Sequence, residues 1–357
     1  MPKPKTRTFG ILTSGGDCPG LNAAIRGVAK SATECFDMNV IGISNGFRGL
    51  IDNDAHLLKP QDFSGILTLG GTILGTSREQ PFKNTERDSA AALSKADTLK
   101  DNYRKLGLDC LVVLGGGGTH KTAHQLQKEG LNVIGLPKTI DNDLYGTDVS
   151  FGFASAVDVA SEAIDRLHST ANSHNRIMVI EVMGHRAGWL ALSAGVAGGG
   201  DIILIPEIPY DSDSINSHLM KRYRDGKKFS IVVVAEGAVS VEEAKEKEKR
   251  KKRDPSAAYR VASRIEESLD LETRVTVLGY IQRGGSPSPQ DRLLATRFGT
   301  HAAKMMAEGD FGKMVALKCG EVTSVPLEEP ASKARLVPTD HPLIESARLV
   351  GTCFGDD

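Results

Sequence analysis

Short apolar runs alternate with amphipathic stretches along nearly the whole chain, a rhythm that predicts parallel sheets covered by helices. Residues 8–13 read as a buried first strand, 14–20 as a turn and 21–30 as the helix behind it. A second strand is expected at 39–43, followed by a loop-rich region over 46–75. A helix containing 100–105 leads to an apolar strand at 110–114, and the next strand covers 132–136. After Asp143 the rhythm restarts: helix near 156–167, strand 176–182, helix 187–197, strand 202–205, helix 214–223 and strand 230–235. The expected fold class is α/β, as two Rossmann-like domains with mainly parallel sheets and helices on both faces. A chain of 357 residues also suits two cores better than one.

Composition narrows the classes of function. Net charge is −1, from 44 basic and 45 acidic residues, so the chain has no general pull towards nucleic acid or an anionic membrane. No apolar run approaches the roughly 20 residues of a membrane span. The basic start (MPKPKTR) leads into a strand and not a signal-peptide core. Five scattered cysteines (Cys18, Cys35, Cys110, Cys319, Cys353) without C-x-x-C spacing read as free thiols in a reducing cytoplasm, and zinc is not expected. The one charge run, 245–253 (KEKEKRKKR), reads as a solvated helix face.

Candidate chemistry gathers at strand ends, where open α/β sheets bind ligands. Residues 137–143 (PKTIDND) follow a strand and bring a hydroxyl and two carboxylates. Asp141 can accept a proton while Asp143 holds a cation or a sugar hydroxyl. Gly15 and Gly16 follow the first strand; Gly115, Gly116, Gly117 and Gly118 follow the strand at 110–114, with Thr119 behind them. Either cluster alone could be a tight turn without a ligand. Together they resemble a phosphate cradle, because amides without Cβ atoms can approach phosphate oxygens at helix N-termini. Arg78, Arg176, Arg274 and Arg283 lie in loops or at strand ends, where a guanidinium fork suits a phosphate, although each alone could be a salt bridge. Glu236 closes a strand and can accept from a sugar hydroxyl. His120, His168 and His174 have no metal-ligand arrangement and are given no catalytic part.

Several ordered motifs resemble the 6-phosphofructokinase family over nearly the whole chain. They are Gly15-Gly16-Asp17-x-Pro19-Gly20-x-Asn22, Gly75-x-x-Arg78, the glycine loop, Thr139-Ile140-Asp141-Asn142-Asp143, Met183-Gly184, and Leu278-Gly279-x-Ile281-Gln282-Arg283-Gly284-Gly285. The resemblance implies phosphoryl transfer from ATP to the 1-hydroxyl of D-fructose 6-phosphate, as in glycolysis, with Mg²⁺ as cofactor. It puts a donor domain at 1–152 plus about 282–335, and a sugar-phosphate domain at 153–281 plus about 336–357. Asp141 falls at the general base, with Arg78 and Thr139 as its catalytic companions. Gly16, Arg78, Gly115, Gly116, Gly117, Gly118 and Thr119 match the donor site. Thr139, Asp141, Asp143, Met183, Gly184, Glu236, Tyr280 and Arg283 match sugar-phosphate contacts. Arg176 and Arg274 match arginines lent by a neighbouring subunit, so a homo-oligomer is expected.

The chain departs from the family pattern at four places. Gly117 stands where a loop Asp commonly meets Mg²⁺, which leaves Asp143 as the candidate metal carboxylate. Gly118 replaces the Asp of pyrophosphate users and leaves room for the α-phosphate of ATP, whereas Lys138, a flexible side chain, is their residue; the pair resembles the family's mixed-substrate group. Met183-Gly184-His185-Arg186 shifts a basic group by one residue, and Tyr280 replaces a His. ATP is the expected donor. The rival readings are a pyrophosphate-dependent enzyme and a weakly catalytic sugar-phosphate-binding subunit. Lys30, where the family's effector site has a second arginine beside Arg26, makes the same allosteric control unexpected.

Overall fold

Eleven strands run through residues 5–83, 94–245, 256–269 and 271–356, which the computed structural model describes. In chain order they are β1 (Thr8–Thr13), β2 (Asn39–Ile43), β3 (Ala55–Leu58), β4 (Cys110–Gly115), β5 (Val133–Pro137), β6 (Ile177–Val182), β7 (Ile202–Leu204), β8 (Ser230–Ala235), β9 (Thr273–Val277), β10 (Lys313–Lys318) and β11 (Glu321–Pro326). The chain forms two compact units. One comprises Met1–Thr139, Leu144–Ser155 and Arg283–Ala334; the other comprises Ile140–Asp143, Ala156–Gln282 and Arg335–Asp357.

The first unit is built on a seven-stranded sheet in the order β11-β10-β5-β4-β1-β2-β3. Its five central strands are parallel, and β3 and β11 are antiparallel edges. All six residues of β4 (CLVVLG) are buried, as expected of a parallel strand covered on both faces. Leu12, Val113, Leu126, Val133 and Met314 share its core. From β1 the chain moves to β2 on one side; from β4 it moves to β5 on the other. Their outgoing helices, Leu21–Phe36 and Gly117–Lys128, therefore leave towards opposite faces. The ends of β1 and β4 flank a switch-point crevice.

The second unit repeats the device with four parallel strands in the order β7-β8-β6-β9. Val179, Leu204, Val232, Val261 and Ile265 belong to its core. The connection leaving β6 travels towards β7, and the one leaving β8 travels back to β9, so the second crevice opens between the ends of β6 and β8.

The region 46–75 is more ordered than the sequence suggests. It holds a helix at Phe47–Asp52, the edge strand β3 and a 3-10 turn at Ile66–Thr68. β3 is four residues long with only Leu58 buried, so it carries little hydrophobic signal. The β10–β11 hairpin turns on Cys319 and Gly320, both with positive φ, a primed turn without the Asn-Gly signature. Of the charge run, Lys245 ends a short helix and 246–253 lie outside the described residues. Among the described residues no helix is long and apolar enough to cross a membrane.

Candidate active site

In the first unit, backbone pairing ties the turn after β1 to the end of β4 and to the loop carrying Arg78. Ser14 N–H donates to Leu114 O (2.9 Å), and Gly15 N–H donates to Ser77 O (2.9 Å). The hydroxyls of Thr76 and Thr13 return to Gly15 O (2.8 Å) and Gly75 O (2.6 Å). The loop carrying Arg78 is thus laced to the loop carrying Gly16, and Arg78 itself is exposed. At Gly115 a Cβ would meet the side chain of Thr119 at 2.2 Å, so the turn into the helix requires glycine there. Gly116 caps that helix without a side chain, and Cβ atoms at Gly117 and Gly118 would meet nothing within 4 Å. The first-turn amides of a helix have no partner inside it, and the space beside Gly117 and Gly118 is clear. Thr119 is buried and its hydroxyl donates to Ser14 O (3.4 Å).

Lys138 is not a flexible arm. It is 3% exposed, its N–H donates to Gly115 O (3.0 Å), and its Nζ donates to Gly16 O. The ammonium therefore sits inside the glycine cradle. Thr139 is buried beside it, its carbonyl accepting from Ser150 Oγ (2.8 Å). Arg283 also belongs to this unit. Its guanidinium lies over Gly16, where a Cβ would meet Nη1 at 2.7 Å, and Nη1 donates to Asp17 O (3.0 Å). Its Nε is buried without a partner.

His120 stands directly behind the loop. Its Nδ1 lies 2.9 Å from Gly116 O; because a carbonyl only accepts, Nδ1 carries the proton. Burial pushes its pKa down to about 4. The folded ring therefore refuses a proton that the unfolded ring takes up below its ordinary value of 6.5. Its contribution is full above pH 6.5 and is lost as pH falls towards 4, a change of about 3 kcal/mol. Urea midpoints measured from pH 7 to 4.5 should fall for the parent, and the slope should flatten in His120→Asn, which keeps a donor for Gly116. An equal slope in both would remove His120 from the account.

In the second unit, Ile140, Asp141, Asn142 and Asp143 form an irregular segment in which Asn142 adopts a left-handed conformation (φ 53). Asn142 is buried, and Asp141 and Asp143 are each partly buried. At the β6–β8 crevice, Gly184 (φ 144) turns the chain after β6; a Cβ there would meet Ala187 O at 2.5 Å. Glu236 N–H donates to Val182 O (2.9 Å), and Glu236 Oε1 accepts from His185 N–H (2.7 Å). Met183, Gly184 and Glu236 are thereby brought together, with His185 and Arg186 exposed at the rim. Tyr280 is 74% exposed on a 3-10 turn after β9. Gln282, fully buried, ties that turn to Met183: its Oε1 accepts from Met183 N–H (3.4 Å) and its Nε2 donates to Gly279 O (3.1 Å).

Arg176 and Arg274 are elsewhere in this unit. They stand side by side at the start of β6 and β9, both paired to Glu272, with Arg176 Nε donating at 2.6 Å. The Arg176 guanidinium holds the Glu272 carboxyl below the ordinary carboxylate range. Met183 and Glu236 lie at the far ends of the parallel strands, about 20 Å away at 3.3 Å per residue.

Two doubly wound units, one with a glycine-lined crevice and a buried lysine, the other with a switch-point carboxylate, are the architecture of an α/β protein suited to a phosphorylated ligand. A family profile described as Phosphofructokinase matches residues 8–306, and the chain belongs to that family. It is 67% identical to a protein of Spirochaeta thermophila named ATP-dependent 6-phosphofructokinase, over all of both chains. It is 53% identical to ATP-dependent 6-phosphofructokinase 3 of Bacteroides thetaiotaomicron, over 97% of this chain and 99% of that one. The phosphofructokinase structure from Saccharomyces cerevisiae superposes with a TM-score of 0.79 at 32% identity, over 91% of this chain and 45% of that longer one.

Gln282 and His120 were both named in the sequence without a role being assigned to either. Gln282 stood inside a quoted motif, and a polar residue flanked by Ile281 and Arg283 was a signal that could have found it. His120 supports the glycine loop through Gly116 O, a contact that the sequence pattern does not report.

Proposed function

We propose that this chain transfers the terminal phosphoryl group of ATP to the 1-hydroxyl of D-fructose 6-phosphate, giving fructose 1,6-bisphosphate and ADP. The observation that carries ATP as donor is the clear space at Gly118, together with full-length 67% identity to a relative named for that activity. The donor domain is the unit holding Gly16, Arg78, Gly115, Gly116, Gly117, Gly118 and Thr119. The sugar-phosphate domain is the unit holding Met183, Gly184, Glu236 and Tyr280. The same reading carries a glycolytic role and a cytoplasmic location, which five free thiols support.

Asp141 takes the proton from the 1-hydroxyl as its oxygen bonds to the γ-phosphorus. The bond to the β,γ-bridging oxygen breaks, and ADP leaves with the electron pair. The glycine-loop amides and Arg78 hold and neutralise the donor, and the Thr139 hydroxyl orients the acceptor. Met183, Gly184, Glu236 and Tyr280 hold the sugar. Arg283, with its unpartnered buried Nε, is available to a phosphate oxygen.

Mg²⁺ takes oxygen ligands, commonly one or two carboxylates with substrate phosphates and water. Gly117 offers no carboxylate, and among the described residues no group of three or more His, Cys, Asp or Glu could cage a metal. The residues fit an ion carried by the donor's phosphates, with Asp143 as the carboxylate that would hold it. Bound there, it would supply charge neutralisation to the transferring group.

Arg176 and Arg274 serve a neighbouring subunit's sugar-phosphate site, a reading supported by their position at the opposite strand ends from Met183 and Glu236. Co-expressing Asp141→Asn with Arg274→Ala tests this. Each alone is expected to be nearly silent, while the randomly paired mixture regains activity in about a quarter of all its sites. Hybrids as silent as either parent would contradict the sharing.

Pyrophosphate as donor is the second reading, favoured by Lys138, whose ammonium is buried in the cradle against Gly16. The weakly catalytic subunit is not retained, given relatives of this identity named as kinases.

A further inference from the structure

Arg335 is the first residue of the segment that returns the chain to the second unit, and it lies against the carboxylate segment of that unit. Its backbone N–H donates to Asp143 O (2.7 Å), and its Nη1 donates to Asn142 O (3.2 Å). Two successive carbonyls are therefore held by one residue. The peptide between them follows the left-handed Asn142 (φ 53), a conformation that a short polar residue tolerates without preferring it. A change of backbone conformation at Asn142 would swing both neighbouring carboxylates, because Asp141 and Asp143 flank that residue.

The guanidinium is itself fixed. It stacks on the indole of Trp189 with Cζ 4.0 Å from the ring centroid, and Trp189 Nε1 donates back to Arg335 O (3.0 Å). Trp189, the only tryptophan of the chain, is 6% exposed and opens the helix Trp189–Ala197. His341 meets the same ring edge-on at 5.2 Å. The Glu207 carboxylate accepts from Gly188 N–H (3.0 Å) and from Val337 N–H (2.9 Å), which pins the residue before the tryptophan to the second residue after the arginine. A planar, stacked, forked cation is what this geometry uses; a lysine has neither the plane nor the fork.

We propose that Arg335, stacked on Trp189, is the positioning residue of the carboxylate segment, aiming Asp141 at the acceptor hydroxyl without touching substrate. The inference rests on the phosphotransferase reading. The backbone N–H bond to Asp143 survives any side-chain change, while substitutions at 335 remove the Asn142 anchor and the stack.

The test is steady-state kinetics of the full-length protein with ATP, Mg²⁺ and fructose 6-phosphate, for the parent, Arg335→Met and Arg335→Lys. Misplacing a catalytic group by about 1 Å costs on the order of 100-fold, so Arg335→Met is expected to lose roughly 30- to 100-fold in kcat. Both KM values should stay within about twofold, since neither substrate loses a contact. Arg335→Lys should lose roughly tenfold, and it decides the matter if the Met variant does not fold. A parent kcat in either folded variant would overturn the proposal. So would a kcat loss matched by rises in both KM values, which marks general loosening. A parent silent with ATP and with pyrophosphate defeats the phosphotransferase reading and this inference with it; an active parent with indifferent variants defeats this inference alone.

Discussion

Replacing Asp141 by Asn is expected to lower kcat by roughly 10²- to 10⁴-fold, the range contributed by a positioned general base. The amide keeps the shape and polarity of the side chain but cannot take the acceptor's proton. In the proposed mechanism other groups hold the sugar phosphate, so its KM or dissociation constant should move by less than about threefold. Asp141 is partly buried in a segment anchored through Asn142 and Asp143, so the exchange should not unseat the loop. Steady-state kinetics paired with direct titration of fructose 6-phosphate checks both halves. Near-parent turnover would remove Asp141 as the base.

The second large effect is expected from Gly118→Asp. A Cβ at this position meets nothing within 4 Å, and an acidic residue in the first turn of the Gly117–Lys128 helix suits the helix dipole. The fold should therefore accept the change, so any loss reports on the donor. A new carboxylate about 4 Å from an α-phosphate charge costs roughly 4 kcal/mol at the effective dielectric of a protein surface. Even half of that, about 2 kcal/mol, lowers kcat/KM for ATP by roughly 30-fold. Pyrophosphate has no third phosphate to meet that charge, and any turnover with it should be spared. Unchanged ATP kinetics in a folded variant would mean that the nucleotide does not pass Gly118.

The glycine loops were legible in the sequence because their signal is local. Apolar β1 and β4 run straight into glycines, and a residue such as Gly115 has no alternative when a Cβ would collide with Thr119 four residues on. The buried parallel strands of both sheets were legible for the same reason, since they are nearly continuous apolar runs, whereas β9 (TRVTV) is half-exposed and was not. The edge strand β3 and the β10–β11 hairpin were not, because half-exposed strands have mixed composition. Lys138 could be named but not located: no pattern says that a long cation will fold back 122 positions onto Gly16. Arg335 lies 193 positions from Asn142, and its role depends on Trp189 as well. Such residues act through contacts that exist only once the chain has folded. The in-chain pairing of Arg176 and Arg274 with Glu272 also fits the salt-bridge reading that each arginine carried in the sequence. That pairing does not conflict with a second duty towards a partner subunit.

The central claim is that the chain is an ATP-dependent phosphotransferase acting on fructose 6-phosphate. It is tested most directly by following fructose 1,6-bisphosphate formation from fructose 6-phosphate and Mg²⁺, with ATP and pyrophosphate in parallel reactions. The account predicts turnover with ATP and little or none with pyrophosphate. Turnover with pyrophosphate alone would contradict it and make Lys138, not Gly118, the residue that decides the donor.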